Sequence, residues 1–153
     1  MKKIVCVLIL LTVSLSLFSA SNEGVTPEYL VEVMQNAGYE AKVDQDGDVE
    51  FLDQYEMYYW ITCSPAEGRL YIQSGWPAAI GVSSEKAYKI VNESNSRFYL
   101  IRTFYDSAYR TFYCDYDFYY PDIFDEALFL KVIENFLSFS DVFTDYLIGE
   151  EVI

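Results

Sequence analysis

The first periodic segment of the chain has the spacing of an amphipathic helix. Thr26-Pro27-Glu28 supplies a hydroxyl N-cap, a proline at the first helical position and an acid in the first turn. Gly38 stands where a helix commonly ends. Between these signals, apolar residues recur three and four positions apart: Leu30, Val33, Met34 and Ala37. The pattern predicts a first helix between Thr26 and Gly38.

An alternation of period two follows and predicts strands. Asp46-Gly47 separates the first two strands, as in a hairpin turn. A break at residues 64–68, which contain proline and glycine, separates the next two. The four predicted strands cover Tyr39–Asp44, Val49–Leu52, Glu56–Cys63 and Arg69–Trp76.

The pattern of the second half of the chain predicts a helix, a hairpin of two strands and a long closing helix. Ser83 and Ser84 begin a helix that ends near Asn95-Ser96, and a long helix begins at about Phe124. Two strands lie between them, Phe98–Tyr105 and Arg110–Tyr119. The order α-β-β-β-β-α-β-β-α lacks a βαβ rhythm, so it predicts an α+β fold with helices packed on an antiparallel sheet.

The segment between the first two strands contains three aspartates around Gly47, which raises the question of a metal site. A calcium loop of the EF type that begins at Asp44 requires glycine at its sixth position and glutamate at its twelfth. Val49 and Tyr55 occupy those positions. We therefore interpret Asp46-Gly47 as a turn and predict no metal ligand there.

The N-terminus has the pattern of a secretory signal peptide. Lys2 and Lys3 precede the apolar run Ile4–Phe18, which small residues follow. The alternative is a retained membrane anchor, but this run is shorter than the ~20 residues that span a bilayer. We expect a cleaved signal peptide at residues 1–20, a domain at 26–147 and a C-terminal tail at 148–153. The expected location is periplasmic or secreted, without stable membrane insertion after cleavage.

Net charge limits the classes of partner. The chain has 10 basic and 24 acidic residues, a formal charge of −14. Removing residues 1–20 removes two lysines and leaves 8 basic against 24 acidic residues, or −16. Nucleic acids and anionic membranes both require a basic surface, so this composition argues against them as partners.

Catalytic and cofactor motifs are absent from the sequence. Without histidine, the chain cannot form Ser-His-Asp or Cys-His catalytic groups. It contains neither a P-loop nor a dinucleotide-binding motif. We predict no catalytic residue, no cofactor and no metal; a carboxylate-dependent enzyme is only a third hypothesis.

Two cysteines, Cys63 and Cys114, remain after signal cleavage. In an exported chain such a pair suggests one disulfide bond. The alternative is two buried free thiols that pack as small hydrophobic residues. The sequence leaves both alternatives open.

Aromatic and acidic residues on two predicted strands suggest a recognition surface. Tyr113, Asp115, Asp117 and Tyr119 alternate on the side opposite Cys114. Tyrosine and tryptophan are enriched at protein interfaces, and aspartate also protects exposed strands without any partner. We predict these four residues, together with Tyr58 and Trp60, as candidates for partner binding.

Three segments resemble a known family. They are T-P-E-Y-L-V-E-V-M-Q-N-A-G-Y-E with D-Q-D-G-D, the segment Ala87–Asn95, and the closing helix. All three are similar to YbjN-like domains, which are also described as bacterial sensory transduction regulators. The resemblance covers roughly Thr26–Leu147. It implies the fold of type III secretion chaperones, a protein-binding role and no catalytic residues. The export signal and the 15 tyrosines depart from the usual pattern of that family.

The leading hypothesis is an exported, non-enzymatic module that binds a protein or peptide, with a chaperone-like or regulatory role. The second is a periplasmic binder of an apolar small molecule in a groove between the sheet and the last helix. A homodimer remains open on sequence grounds.

Overall fold

The structure is a computed structural model that describes residues 25–98, 101–121 and 123–153. The predicted signal peptide lies outside these residues. Three helices are described: α1 (Pro27–Asn36), α2 (Ser84–Arg97) and α3 (Glu126–Gly149). A short 3-10 helix covers Pro65–Glu67. The six strands are β1 (Glu40–Val43), β2 (Val49–Leu52), β3 (Tyr58–Ser64), β4 (Arg69–Pro77), β5 (Arg102–Asp106) and β6 (Thr111–Tyr119). The predicted α+β class and element order are confirmed.

The strands form one antiparallel sheet in the order β1-β2-β3-β4-β6-β5. The two hairpins β1-β2 and β5-β6 lie at opposite sides of the sheet. The long strands β4 and β6 pair from Arg69 opposite Tyr119 to Pro77 opposite Thr111, the longest pairing in the sheet. Residues opposite one another across these strands share a face, so this register determines which side chains come together.

Helices α1 and α2 begin after the expected capping residues, Thr26 and Ser83, whereas α3 begins at Glu126, two residues after its predicted start. Tyr29 donates its backbone N–H to the Thr26 hydroxyl over 3.2 Å, and Ser83 accepts in the same way at α2. Asp125 caps α3 by accepting from the Leu128 N–H over 2.9 Å. These bonds satisfy N–H groups that have no partner within the first turn of a helix.

The three helices pack on one face of the sheet and bury its aromatic and aliphatic side chains. Phe136 of α3 meets the ring of Tyr59 at 6.1 Å between centroids, and Phe143 meets Trp76 at 5.3 Å. Burying one such side chain contributes roughly 1.5–3 kcal/mol. This packing makes one continuous core.

A buried polar contact connects α3 to the β2–β3 loop. The Tyr59 hydroxyl lies 2.8 Å from Ser140 Oγ and donates to Asp53 Oδ2 over 3.1 Å. Asp53 also accepts from the backbone N–H groups of Tyr55 and Met57. The contact therefore determines the conformation of the loop at the end of β2.

The β1–β2 connection is the predicted turn. Asp44 Oδ1 accepts from the backbone N–H groups of Asp46 and Asp48 over 2.9 and 3.0 Å. Gly47 has φ 89°, a left-handed conformation that favours glycine. The hairpin prediction is confirmed by the pairing of Val43 with Val49.

Several boundaries differ from the sequence prediction, and the largest shift is that of β5, which begins at Arg102 instead of Phe98. Helix α2 continues to Arg97 instead of ending near Asn95-Ser96, because these polar side chains bond within the fold. Residues 148–153 are not a separate tail. Val152 is fully buried, and its carbonyl accepts from the Ala79 N–H over 2.7 Å.

Candidate protein-interaction surface

The second face of the sheet carries none of the described helices, and we call it the open face. Its side chains are half-buried or exposed, apart from that of Asp115, which is 4% exposed. One row of directly opposed residues crosses all six strands: Lys42, Glu50, Trp60, Gln73, Asp115 and Arg102. An antiparallel sheet commonly presents one solvated face of this kind.

The structure places all six predicted recognition residues on the open face. Parity explains this result, because Cys114 and Tyr59 point into the core and their strand neighbours point away. The six residues are Tyr58, Trp60, Tyr113, Asp115, Asp117 and Tyr119. Their role in partner binding stays a prediction.

Two pairs of stacked aromatic rings occupy the open face. Tyr58 and Trp60 of β3 stack with centroids 6.4 Å apart. Phe104 and Tyr113 stack across β5 and β6 at 5.1 Å. A Cβ atom built at Gly75 would lie 2.8 Å from Tyr113 Cε1, so only glycine lets this ring lie against β4. The pairs form rigid apolar surfaces of the kind found at interface hot spots.

Asp115 differs from the expectation of a free recognition residue. Its carboxylate accepts from Arg102 Nε over 3.0 and 3.1 Å and from the Tyr71 hydroxyl. Burial, followed by this bond to Asp115, raises the pKa of Tyr71 to about 12. The Arg102 guanidinium lies 5.5 Å from the centre of the Phe104 ring. Asp115 therefore positions Arg102 and Tyr71, and a partner meets those two side chains first.

Each described cation on the open face has an acidic partner on that face. Lys42 Nζ lies 2.9 Å from Glu50, Arg69 lies 2.7 Å from Asp117, and Arg102 bonds to Asp115. The Arg69–Asp117 pair is exposed on both sides, and such a pair contributes little to stability. Together the three pairs neutralise three of the carboxylates on the open face of a chain whose formal charge is −14.

Side-chain amides of the helices occupy both sheet edges. Asn95 of α2 accepts from the Thr103 N–H over 2.8 Å and donates to the Thr103 carbonyl over 2.7 Å. Gln35 of α1 donates to the Ala41 carbonyl of β1 over 2.9 Å. These bonds use backbone groups that an added strand would need. The open face is therefore a better docking surface than either edge.

Of the two cysteine alternatives, the structure shows free thiols. Cys63 is opposite Leu70, Cys114 is opposite Ser74, and β4 lies between their strands. An offset of four residues along a strand is about 13 Å, which exceeds the ~7 Å limit between bonded Cα atoms. The suggested disulfide is therefore wrong for this fold.

Sequence reasoning missed three residues of the open face: Tyr71, Arg102 and Phe104. The alternation of Leu70 and Ile72 already indicated that Tyr71 points outward. Phe104 had no comparable signal, because Thr103 occupies the core side of β5. Its hydroxyl bonds to the Val91 carbonyl and to Asn95, which permits a polar residue there.

The described residues lack two other kinds of feature. Among residues 25–98, 101–121 and 123–153, no group of three or more His, Cys, Asp and Glu side chains could hold a metal ion. None of the helices in these same ranges is long and apolar enough to cross a membrane.

Comparison with known proteins supports the fold. No protein-family model matches the chain, and no curated protein matches it in sequence. Among solved structures, YbjN from E. coli, for which a role as a transcription regulator is proposed, aligns with a TM-score of 0.69 at 6% identity. The alignment covers 82% of this chain and 93% of YbjN.

A second solved structure is a chain of the HopA1–SchA chaperone–effector complex. It aligns with a TM-score of 0.56 at 8% identity and covers 76% of this chain and 90% of that one. The fold thus belongs to a class of α+β folds that includes YbjN and this chain of the chaperone–effector complex. Within this class the chain has a YbjN-like fold, as the sequence resemblance implied.

Proposed function

We propose that the protein is an exported, non-enzymatic module that binds a protein or peptide through the open face of its sheet. One observation carries the proposal. The open face presents four stacked aromatic side chains in two pairs on a rigid sheet, with the charges between them already paired. Rings held in this way contribute contact area at little cost in conformational entropy.

The fold neighbours and the sequence add support. One neighbour is part of a chaperone–effector complex, in which a chain of this fold accompanies a protein partner. The Lys2-Lys3 pair and the apolar run Ile4–Phe18 support export. The absence of histidine from the sequence supports a binding role over catalysis.

Partner capture tests the proposal. The protein, produced in its native host with its own leader and an affinity tag, is used to isolate bound proteins from envelope extract. We expect Trp60→Ala and Phe104→Ala each to weaken capture of the same partner about 30-fold or more, since hot-spot truncations cost ~2 kcal/mol or more.

Leu128→Ala is the matched control, because Leu128 is 54% exposed on α3, away from the open face. It should leave capture unchanged. Equal capture by all four proteins would refute the open face as the binding surface.

A separate apolar groove supports a second candidate function, the binding of an apolar small molecule. An apolar groove of about 420 Å³ lies between the end of α2, β6 and α3. Its volume is within the range of small-molecule sites. Its apolar lining residues are Phe98, Ile101, Tyr116, Val132, Phe136 and Phe139. If an apolar ligand binds there, Val132→Trp should abolish its binding and leave partner capture intact.

A further inference from the structure

A continuous depression runs from the open face round the β1–β2 side of the molecule. One groove of about 450 Å³ contains Tyr58, and an adjoining groove of about 550 Å³ reaches Asp141 on α3. The two share Tyr39, Glu40 and Leu52 in their walls. We call the whole depression, from Tyr58 to Asp141, the acidic groove.

The walls of the acidic groove combine apolar and aromatic side chains. Leu52 and Leu137 are half-buried in it. Tyr55 is 66% exposed and Tyr58 is 50% exposed, so both rings are accessible to a partner. The groove therefore extends the apolar surface of the open face beyond the end of β3.

Glu50 in the groove pairs with Lys42, which also lines it, but other carboxylates of the groove lack a basic partner in the described residues. Among the described residues, no salt bridge involves Glu40, Glu56 or Asp141. Partial burial, followed by the charges of Asp53 and Asp145, raises the pKa of Asp141. Within the groove the charge of Asp53 thus opposes that of Asp141, and a cation placed beside them would relieve this repulsion.

The salt bridges of the open face, compared with the carboxylates of the acidic groove, indicate the sign of the partner's charge. Lys42, Arg69 and Arg102, the cations on the described part of the open face, already bind carboxylates. An acidic partner would have to break these pairs, whereas a basic partner would meet the carboxylates of the groove. The net charge of −14 would also accelerate the approach of a cation.

We infer that the partner is a polypeptide segment that combines lysine or arginine with apolar residues. It lies in the acidic groove, where its cations face Glu40, Glu56 and Asp141 and its apolar residues contact Leu52 and Tyr58. This inference rests on the proposed function, because it names the chemistry of the partner that docks on the open face.

Fluorescence anisotropy with three labelled peptides of equal length tests the inference. One peptide alternates lysine and leucine, the second serine and leucine, and the third glutamate and leucine. The full chain should bind the lysine peptide about tenfold more tightly than the serine peptide, the effect of a few exposed ion pairs. The glutamate peptide should bind most weakly. The difference should largely disappear in about 1 M salt, where the screening length is ~3 Å.

A triple variant locates the effect. Glu40→Gln, Glu56→Gln and Asp141→Asn together should reduce affinity for the lysine peptide about tenfold and leave the serine peptide unaffected. The matched control removes three exposed acids of helices α1 and α2 outside the groove, by Glu28→Gln, Glu32→Gln and Glu85→Gln. It should change the affinity less than about twofold, since distant exposed charges are screened. Thermal denaturation checks that both variants fold.

Three results would overturn the inference: no binding of the lysine peptide, equal affinity for the lysine and serine peptides, or equal losses in the groove and control variants. The peptide and salt comparisons use the unmodified chain, so they decide even if a variant fails to fold. Failure of the proposed function is distinguishable. In that case Trp60→Ala and Phe104→Ala leave partner capture unchanged, whatever the charge preference of the peptides.

Discussion

At the scale of single residues, strand parity separates the core from the surface. Tyr59 and Cys114 are buried, whereas Tyr58 and Tyr113, their immediate neighbours, lie on the open face. Because successive side chains of a strand point to opposite faces, a shift of one register position would exchange these roles. The proposed binding surface therefore depends on the register of β3 and β6.

Truncation of two open-face tyrosines tests this assignment. Tyr119 is 64% exposed, so Tyr119→Ala should reduce the free energy of unfolding by less than about 0.5 kcal/mol. Tyr113→Ala also loses the stack on Phe104 and should cost about 1 kcal/mol. Chemical denaturation measures both values. Tyr59→Ala, a core truncation that should cost about 3–5 kcal/mol, provides the comparison. A loss above about 2 kcal/mol at Tyr113 or Tyr119 would mean that these rings belong to the core.

The two thiols allow a second test at this scale. Burial, followed by the charges of Asp48 and Glu28, raises the pKa of Cys63 to about 12. Burial also raises the pKa of Cys114. A raised pKa lowers the reactive thiolate fraction at pH 8, so we expect alkylation at least ~100-fold slower than in a free thiol.

Mass spectrometry after iodoacetamide treatment measures this rate. Without any reductant, both cysteines should resist alkylation in the native protein and both should react once guanidinium unfolds it. Two cysteines that stay unmodified in guanidinium until a reductant is added would instead demonstrate the disulfide.

At the scale of elements, most boundaries could be predicted because their signals are local. The caps Thr26, Ser83 and Asp125 and the Asp46-Gly47 turn act within a few residues of the chain. The end of α2 could not be predicted, because Asn95 is stabilised by Thr103 on another element. The burial of Val152 also depends on a long-range contact, with Ala79.

On the candidate surface, too, local patterns could be predicted from the sequence and long-range contacts could not. Parity within β3 and β6 was sufficient to group the six predicted residues on one face. The burial of Asp115 depends on Arg102 and Tyr71, which belong to β5 and β4. The acidic groove requires the loop of Asp53 and α3 to come together, and no sequence pattern indicates that contact.

The β1–β2 turn supports a prediction at this scale. Asp44 Oδ1 already accepts two backbone N–H groups within the turn, so this carboxylate stabilises the turn without a bound ion. Adding millimolar calcium should leave the melting temperature almost unchanged. A site filled at 100 times its dissociation constant would add about 2.7 kcal/mol of stability, which differential scanning fluorimetry would detect. A clear calcium-dependent rise would contradict the turn interpretation.

At the scale of the whole molecule, the charge is distributed unevenly. The open face has paired charges, whereas the acidic groove beside it has carboxylates without basic partners in the described part of the chain. The chain as a whole carries 24 acidic against 10 basic residues. Such an excess keeps a protein soluble and favours association with basic partners.

The predicted export of the protein also concerns the whole molecule. If residues 1–20 are a signal peptide, protein purified from the native host should begin between Ser19 and Asn22. N-terminal sequencing checks this expectation. Soluble cytosolic protein that retains Met1 would refute it.

Photo-crosslinking in the native host tests the binding role of the open face most directly. A photoreactive phenylalanine analogue replaces Tyr58 or Tyr119 on the open face, and Tyr88 on α2 serves as an exposed aromatic control. We expect covalent adducts with the same partner from both open-face positions and none from Tyr88. Adducts from Tyr88 alone, or none from Tyr58 and Tyr119, would contradict the account.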